Sequence, residues 1–115
     1  MTKWGGDVAK NALVSNYRNG ARSRGIAFDL THEECEALFR QNCHYCGTEP
    51  NQLLRTGTKR QYTITYNGID RMDNGVGYVS GNVVSCCKTC NSAKGDLSME
   101  EFRAWIARIA KFIEH

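Results

Sequence analysis

The sequence predicts a small α+β domain in which a β-hairpin and a short helix sit between N-terminal and C-terminal helices. Three observations carry that expectation. Two Cys-x-x-Cys pairs, Cys43/Cys46 and Cys87/Cys90, stand about forty residues apart. Between them lies Gln61-Tyr-Thr-Ile-Thr-Tyr-Asn67, rich in β-branched and aromatic residues and partly alternating, as a strand requires. Helical patterns flank this centre on both sides.

The chain has 115 residues, 41% of them apolar, which suits one folded domain spanning 1–115 with a modest core. No apolar run approaches the roughly 20 residues needed to cross a bilayer, so no membrane partner is expected. The start, Met-Thr-Lys-Trp-Gly-Gly-Asp, lacks the apolar stretch of a signal peptide, which points to a cytoplasmic setting. No feature specifies an oligomeric state.

Residues 1–42 read as a helical, basic N-terminal part. Ala9, Leu13, Tyr17 and Ala21 recur every four residues, predicting a helix over 7–23 that stops at Gly25. Asn11, Arg18 and Arg22 share the opposite stripe. The net charge of +3 is mild, but residues 1–24 carry five basic residues against Asp7, and Arg55, Lys59 and Arg60 add a second basic group. Either set can meet a phosphate backbone or simply face solvent. Ile26 to Leu30 is a short extended link. Thr31-His-Glu-Glu34 is a capping box that starts a helix reaching about Gln41, with Cys35, Leu38 and Phe39 on its apolar side.

Residues 43–95 form the centre. Cys43-His-Tyr-Cys46-Gly47 is a knuckle whose tight turn aims two sulfurs at one point. Residues 48–60, with Pro50 and Gly57, read as a variable loop. The strand at 61–67 is followed by a broad Gly-punctuated turn over 68–81. Asn82 to Ser85 pairs back on that strand, and Cys87 to Lys94 is a short helix stopped by Gly95. Over 96–115, Ser98-Met-Glu-Glu101 is a second capping box. It opens a helix whose stripe of Phe102, Trp105, Ile106, Ile109 and Ile113 is expected to be core.

In a reducing compartment, paired Cys-x-x-Cys motifs favour metal over disulfides. Cys43, Cys46, Cys87 and Cys90 supply four thiolates, the closed tetrahedral shell of one structural Zn²⁺. Cys35 and Cys86 are left as small buried hydrophobes. The Cys87–Cys90 pairing is preferred to one using Cys86 because it repeats the Cys43–Cys46 spacing. Asp70 ends the first strand of the hairpin, and Asn91 follows a zinc ligand directly on the helix. One carboxylate and one amide oxygen make an open set suited to Mg²⁺ or Mn²⁺, which also take phosphate oxygens as ligands.

Four stretches then combine: Cys43-His-Tyr-Cys46, Gly68-Ile-Asp-Arg71, Gly77-Tyr-Val-Ser-Gly-Asn82-Val-Val, and Cys87-Lys-Thr-Cys90-Asn91-Ser-Ala-Lys94. In this order they resemble the HNH endonucleases, also called ββα-metal nucleases, over just under half the chain. The resemblance implies a treble-clef-like zinc site holding a ββα element, with Asp70 and Asn91 binding the catalytic divalent ion. It implies that Asn82 holds the loop and that Lys94 contacts phosphate. The activity implied is hydrolysis of phosphodiesters in duplex DNA, by nicking or double-strand cleavage, with Arg18 and Arg22 along the backbone and the hairpin–helix in the minor groove. The setting implied is a phage, a mobile element or a bacterial defence system. The alternative is a zinc-stabilised nucleic-acid-binding module without catalysis; a third reading is a structural zinc domain that binds a protein.

One position departs from the family pattern. The usual histidine base is replaced by Arg71, whose guanidinium stays protonated and cannot take a proton from water. Three readings follow: Arg71 clamps the scissile phosphate, another residue such as His44, Tyr66 or Asp73 is the base, or the chain binds DNA without cutting it.

Overall fold

The computed structural model describes residues 2–114, with side chains from Asp7 to Glu114. The elements run α1 (Thr2–Ser23), α2 (His32–Arg40), β1 (Gln52–Thr56), β2 (Tyr62–Tyr66), β3 (Gly68–Arg71), β4 (Val83–Cys86), α3 (Lys88–Lys94) and α4 (Met99–Ile113). The α+β class is as expected, but the strands pair differently.

There are two antiparallel hairpins where one was expected. β1 pairs with β2, Gln52 opposite Tyr66 through Thr56 opposite Tyr62. β3 pairs with β4, Gly68 opposite Cys86 through Arg71 opposite Val83. The stretch expected as a loop over 48–60 therefore contains a strand, and β2 takes that strand, not residues 82–85, as its partner. The cause is local: Leu54 and Ile64 face each other across the pair and pack against the core, and a turn through Gly57 to Arg60 brings the two strands back on each other. β4 then pairs with Gly-Ile-Asp-Arg of β3, within what reads as a turn in the sequence.

α1 begins earlier than the expected residue 7 and lies across β1 and β2. Its Leu13, Val14 and Ala21 join Leu30, Cys35, Phe39, Ile69 and Tyr78 in the buried core. Tyr17 stacks toward Phe39, and its hydroxyl accepts the Ile69 amide at 3.1 Å. Gly68 is what permits this approach, because a Cβ there would stand 2.5 Å from the Tyr17 hydroxyl.

α2 starts at the expected capping box: the Glu34 amide donates to Thr31 Oγ1 at 3.0 Å, and the Thr31 amide donates to Glu34 Oε1 at 2.8 Å. Asn67, wholly buried between the two hairpins, ties the end of α2 to the cysteine knuckle. Its amide nitrogen donates to the carbonyls of Gln41 and Thr48, and its backbone N–H donates to Phe39. The link over 26–30 grips the far side of the site. Tyr78 exchanges backbone hydrogen bonds with Ala27 and Asp29, which needs a glycine at 77: a Cβ there would lie 2.6 Å from the Ala27 carbonyl oxygen.

α4 carries its own capping box at Ser98 and Glu101, as expected. Its stripe is not core. Phe102 alone is buried, while Trp105, Ile106, Ile109 and Ile113 are 36%, 41%, 37% and 73% exposed. Its first turns reach the rest of the molecule, through Phe102 against Tyr45 at 5.1 Å between ring centres and Arg103 against His44 at 2.9 Å. Helical periodicity specifies a face but not the surface that covers it. No helix among the described residues is long and apolar enough to cross a membrane.

Candidate active site and four-cysteine centre

The knuckle and α3 bring the four expected cysteines together. The sulfurs of Cys43, Cys46, Cys87 and Cys90 all lie within 4.8 Å of one another. A tetrahedral Zn²⁺ with Zn–S bonds of about 2.3 Å sets its sulfurs about 3.8 Å apart. Cys46 Sγ and Cys87 Sγ are 3.7 Å apart, so the donor set fits a zinc ion in both chemistry and spacing. Cys87 is also the N-cap of α3, its sulfur accepting the Cys90 amide at 3.4 Å. The knuckle is clamped to β4 by the His44 amide, which donates to the Ser85 carbonyl at 2.8 Å. Cys35 and Cys86 stay outside the cluster. Both are buried, and burial pushes both thiols up, Cys35 to about 11.

Beside this centre lies a polar cavity of about 270 Å³ lined by Asp70 and Arg71 of β3, Asn91 of α3, and Arg24, Tyr78 and Asp96 among others. Asp70 lies inside β3, not at a strand end, and is buried. Tyr45 donates its hydroxyl to Asp70 Oδ2 at 2.7 Å, and the Lys94 ammonium stands 3.3 Å from Oδ1. Burial, then the hydrogen bond to Asp70, raises the Tyr45 phenol well above its ordinary range. Asn91 is exposed on the first turn of α3.

Arg71 projects over the Tyr78 ring at 5.3 Å and donates from Nη1 to the carbonyls of Asn74 and Val76 at 2.8 and 3.2 Å. Its orientation is thereby held while the guanidinium still faces the cavity. Asn82 lies beneath the same loop. Its Oδ1 accepts the Asp73 amide, and its Nδ2 donates to the carbonyls of Asp73, Val76 and Gly77. One buried amide thus holds the connection between β3 and β4.

The remaining expected residues are spread more widely. Lys94 is 1% exposed, so its ammonium faces Asp70 and the Arg71 carbonyl and not an open surface. Arg18 and Arg22 border a separate shallow cleft with Phe28, Arg18 lying over that ring at 5.7 Å. None of the three other base candidates lines the cavity. His44 is exposed and paired with Arg103 at 2.9 Å, Tyr66 stacks edge-on to Phe39, and Asp73 accepts the Gly75 amide in a turn.

Two contributors escape a reading of the sequence. Arg24, at the end of α1, donates to the Tyr78 hydroxyl at 3.1 Å and adds a second guanidinium to the cavity wall. Tyr45, between two zinc-type ligands, holds Asp70. The only sequence signal for Tyr45 is its place inside the knuckle; Arg24 is marked only as one of the basic residues of 1–24, because the fold alone brings the end of α1 to β3.

No family model matches the chain. A protein of Acanthamoeba polyphaga mimivirus, R423, of uncharacterised function, is 35% identical over 99 residues, 86% of this chain and 16% of its own length. The SPbeta prophage-derived protein YoqL of Bacillus subtilis (strain 168), whose name assigns it by inference to the HNH endonucleases, is 33% identical over 98 residues, 81% of this chain and 41% of its own length. The chain thus spans less than half of either relative. Among solved structures, the rare-cutting HNH restriction endonuclease PacI matches with a TM-score of 0.64 and 25% identity, over 89% of this chain and 77% of that one. In both sequence and fold, the chain is similar to HNH endonucleases.

Proposed function

We propose that this chain is an HNH-type nuclease that hydrolyses phosphodiester bonds in duplex DNA, at the cavity shared by Asp70, Arg71 and Asn91. The observation that carries the proposal is this convergence: a carboxylate from β3 and an amide from α3 line one polar cavity beside the four-cysteine centre. Likeness to an HNH restriction endonuclease in fold, and to a prophage protein in sequence, supports the reading.

The zinc held by the four cysteines is structural, since a closed thiolate shell has no position for substrate. The Asp70 carboxylate and the Asn91 amide oxygen would hold Mg²⁺ or Mn²⁺, which would supply stabilisation of the leaving sugar oxygen. Arg71 stays cationic and serves as a clamp on a non-bridging phosphate oxygen, held in place by the loop carbonyls it already binds. Water attacks phosphorus and its proton passes to solvent, while the P–O bond to the departing sugar breaks. Asn82 keeps the loop beneath Arg71 in place. Lys94 compensates the buried Asp70 from behind and acts on phosphate only through that pairing. Arg18 and Arg22 hold the DNA backbone to one side. Viral and prophage relatives are consistent with action in the cytoplasm of a bacterium or an infected host.

One observation favours a second reading, a DNA-binding module without catalysis: both Asp70 oxygens already have protein partners in Tyr45 and Lys94. Supercoiled plasmid with Mg²⁺ or Mn²⁺ separates the two. The nuclease converts it to nicked or linear forms, and Asp70→Ala and Asn91→Ala abolish the conversion. Arg71→Ala lowers it at least about tenfold, as loss of a charged transition-state contact does. Retained gel-shift binding with no cleavage by the unaltered chain establishes the binding module instead.

A further inference from the structure

We propose that Arg24 holds a backbone phosphate of its own, beside the one clamped by Arg71, and so carries the DNA strand from the cavity toward Arg18. The inference deepens the nuclease reading and rests on it only in taking DNA as the ligand.

The starting observation is how the Arg24 side chain is held. It leaves the end of α1, donates from Nε to the Gly20 carbonyl at 3.2 Å and from Nη2 to the Tyr78 hydroxyl at 3.1 Å. Tyr78 is a firm anchor. It is buried, its backbone is bonded to Ala27 and Asp29, and its ring packs edge-on to Tyr17. The Arg24 guanidinium is therefore fixed in direction although the residue is exposed. Its Nη1 engages no protein group among the described residues. Arg71 is held in the complementary way: Nη1 binds the loop carbonyls, and Nε and Nη2 stay open. Each guanidinium keeps donors with which to grip phosphate oxygens.

Charge says what kind of ligand fits. Every hydrogen-bond partner of the two guanidiniums is neutral. The ion pairs among the described residues are Lys10–Glu36, Arg40–Glu36 and Lys94–Asp70, and none includes Arg24 or Arg71. Lys94 already balances Asp70, so two cations share the cavity wall with one further carboxylate, that of Asp96. An arginine held by neutral groups keeps its full charge for an outside anion. The aromatic rings extend the pattern beyond the cavity. Tyr78 and Phe28 stand 5.7 Å apart between ring centres. Arg71 lies over the first ring and Arg18 over the second, with Arg24 at the Tyr78 hydroxyl. Three guanidiniums thus follow two adjoining rings. An extended polyanion meets all three, and a single small anion does not.

The test is binding of the full, zinc-loaded chain to a short fluorescent duplex, read by anisotropy from about 50 to about 200 mM KCl. No Mg²⁺ or Mn²⁺ is added, so the readout does not depend on cleavage. Each phosphate contact contributes about 0.9 to the slope of log affinity against log salt. Arg24→Gln should lower that slope by about 0.9 and weaken binding about three- to tenfold at the lower salt, with unchanged circular dichroism and zinc content. Arg24→Lys keeps the charge and should keep the slope. Lys111→Gln, on α4, removes the same net charge and should leave the slope as it is. A slope unchanged by Arg24→Gln, or lost equally in Arg24→Lys or Lys111→Gln, overturns the proposal. A chain that binds no duplex overturns the nuclease reading along with it, whereas a chain that binds with Arg24 indifferent overturns this inference alone.

Discussion

The two hairpins share a topology and differ in almost everything else. β1–β2 pairs five residues per strand, and each strand alternates exposed with half-buried positions, as a ribbon with one wet face does. β3–β4 pairs four, and Gly68, Ile69 and Asp70 are buried in succession. Alternation is lost there because both faces are covered: α1 reaches in through Tyr17, α2 packs on the strands, and the knuckle and Lys94 close over Asp70. The first hairpin is a support for α1. The second holds polar groups in the interior, which costs free energy unless each has a partner, and its partners are the residues of the candidate site.

This contrast can be broken most forcefully at the cysteines. Cys43→Ser or Cys87→Ser, or a strong zinc chelator, should lower unfolding stability by several kcal/mol, because metal binding and folding are linked. Thermal unfolding followed alongside metal content checks this. Equal stability with and without zinc would mean that β3–β4 does not depend on the cluster. A sharper probe is Asp70→Asn, which leaves the Lys94 ammonium buried without its counter-charge and should cost about 3 kcal/mol. Asn91→Ala, on the exposed side of the same cavity, should stay within about 0.5 kcal/mol while still abolishing plasmid cleavage. Urea unfolding of the pair measures the difference; equal losses would show that the buried ion pair carries no special weight. The smallest effect belongs to the other hairpin: Leu53→Ala or Thr63→Ala, both on its open face, should change stability by less than about 0.5 kcal/mol.

The same contrast marks what the sequence discloses. Both capping boxes, the paired cysteines and the end of α3 at Gly95 are local signals, and each is met in the structure. β1 was not legible: Pro50, Gly57 and three basic residues read as loop, and the strand exists because Tyr62–Tyr66 is there to pair with it. With no local signal for β1, residues 82–85 are the only apparent partner for 61–67, whereas the fold pairs them with β3. The α4 stripe was legible as a face, but nothing in its period states what lies against it. At the site, Asp70 and Asn91 stand out by type and place, and Arg71 and Asn82 through the resemblance to the HNH endonucleases. Arg24 and Tyr45 do not, since their relation to Asp70 and Tyr78 exists only after α1 and the knuckle have folded against β3.

Cys87 has two employments at once, gripping the cluster and opening α3 through the amide of Cys90. Asn91 is the next residue along that first turn. Chemical attack on this one sulfur, by an oxidant or an alkylating agent, would therefore loosen the helix at its root and displace the amide that faces the cavity. The centre that steadies the architecture is thus also where redox stress would be felt by the chemistry.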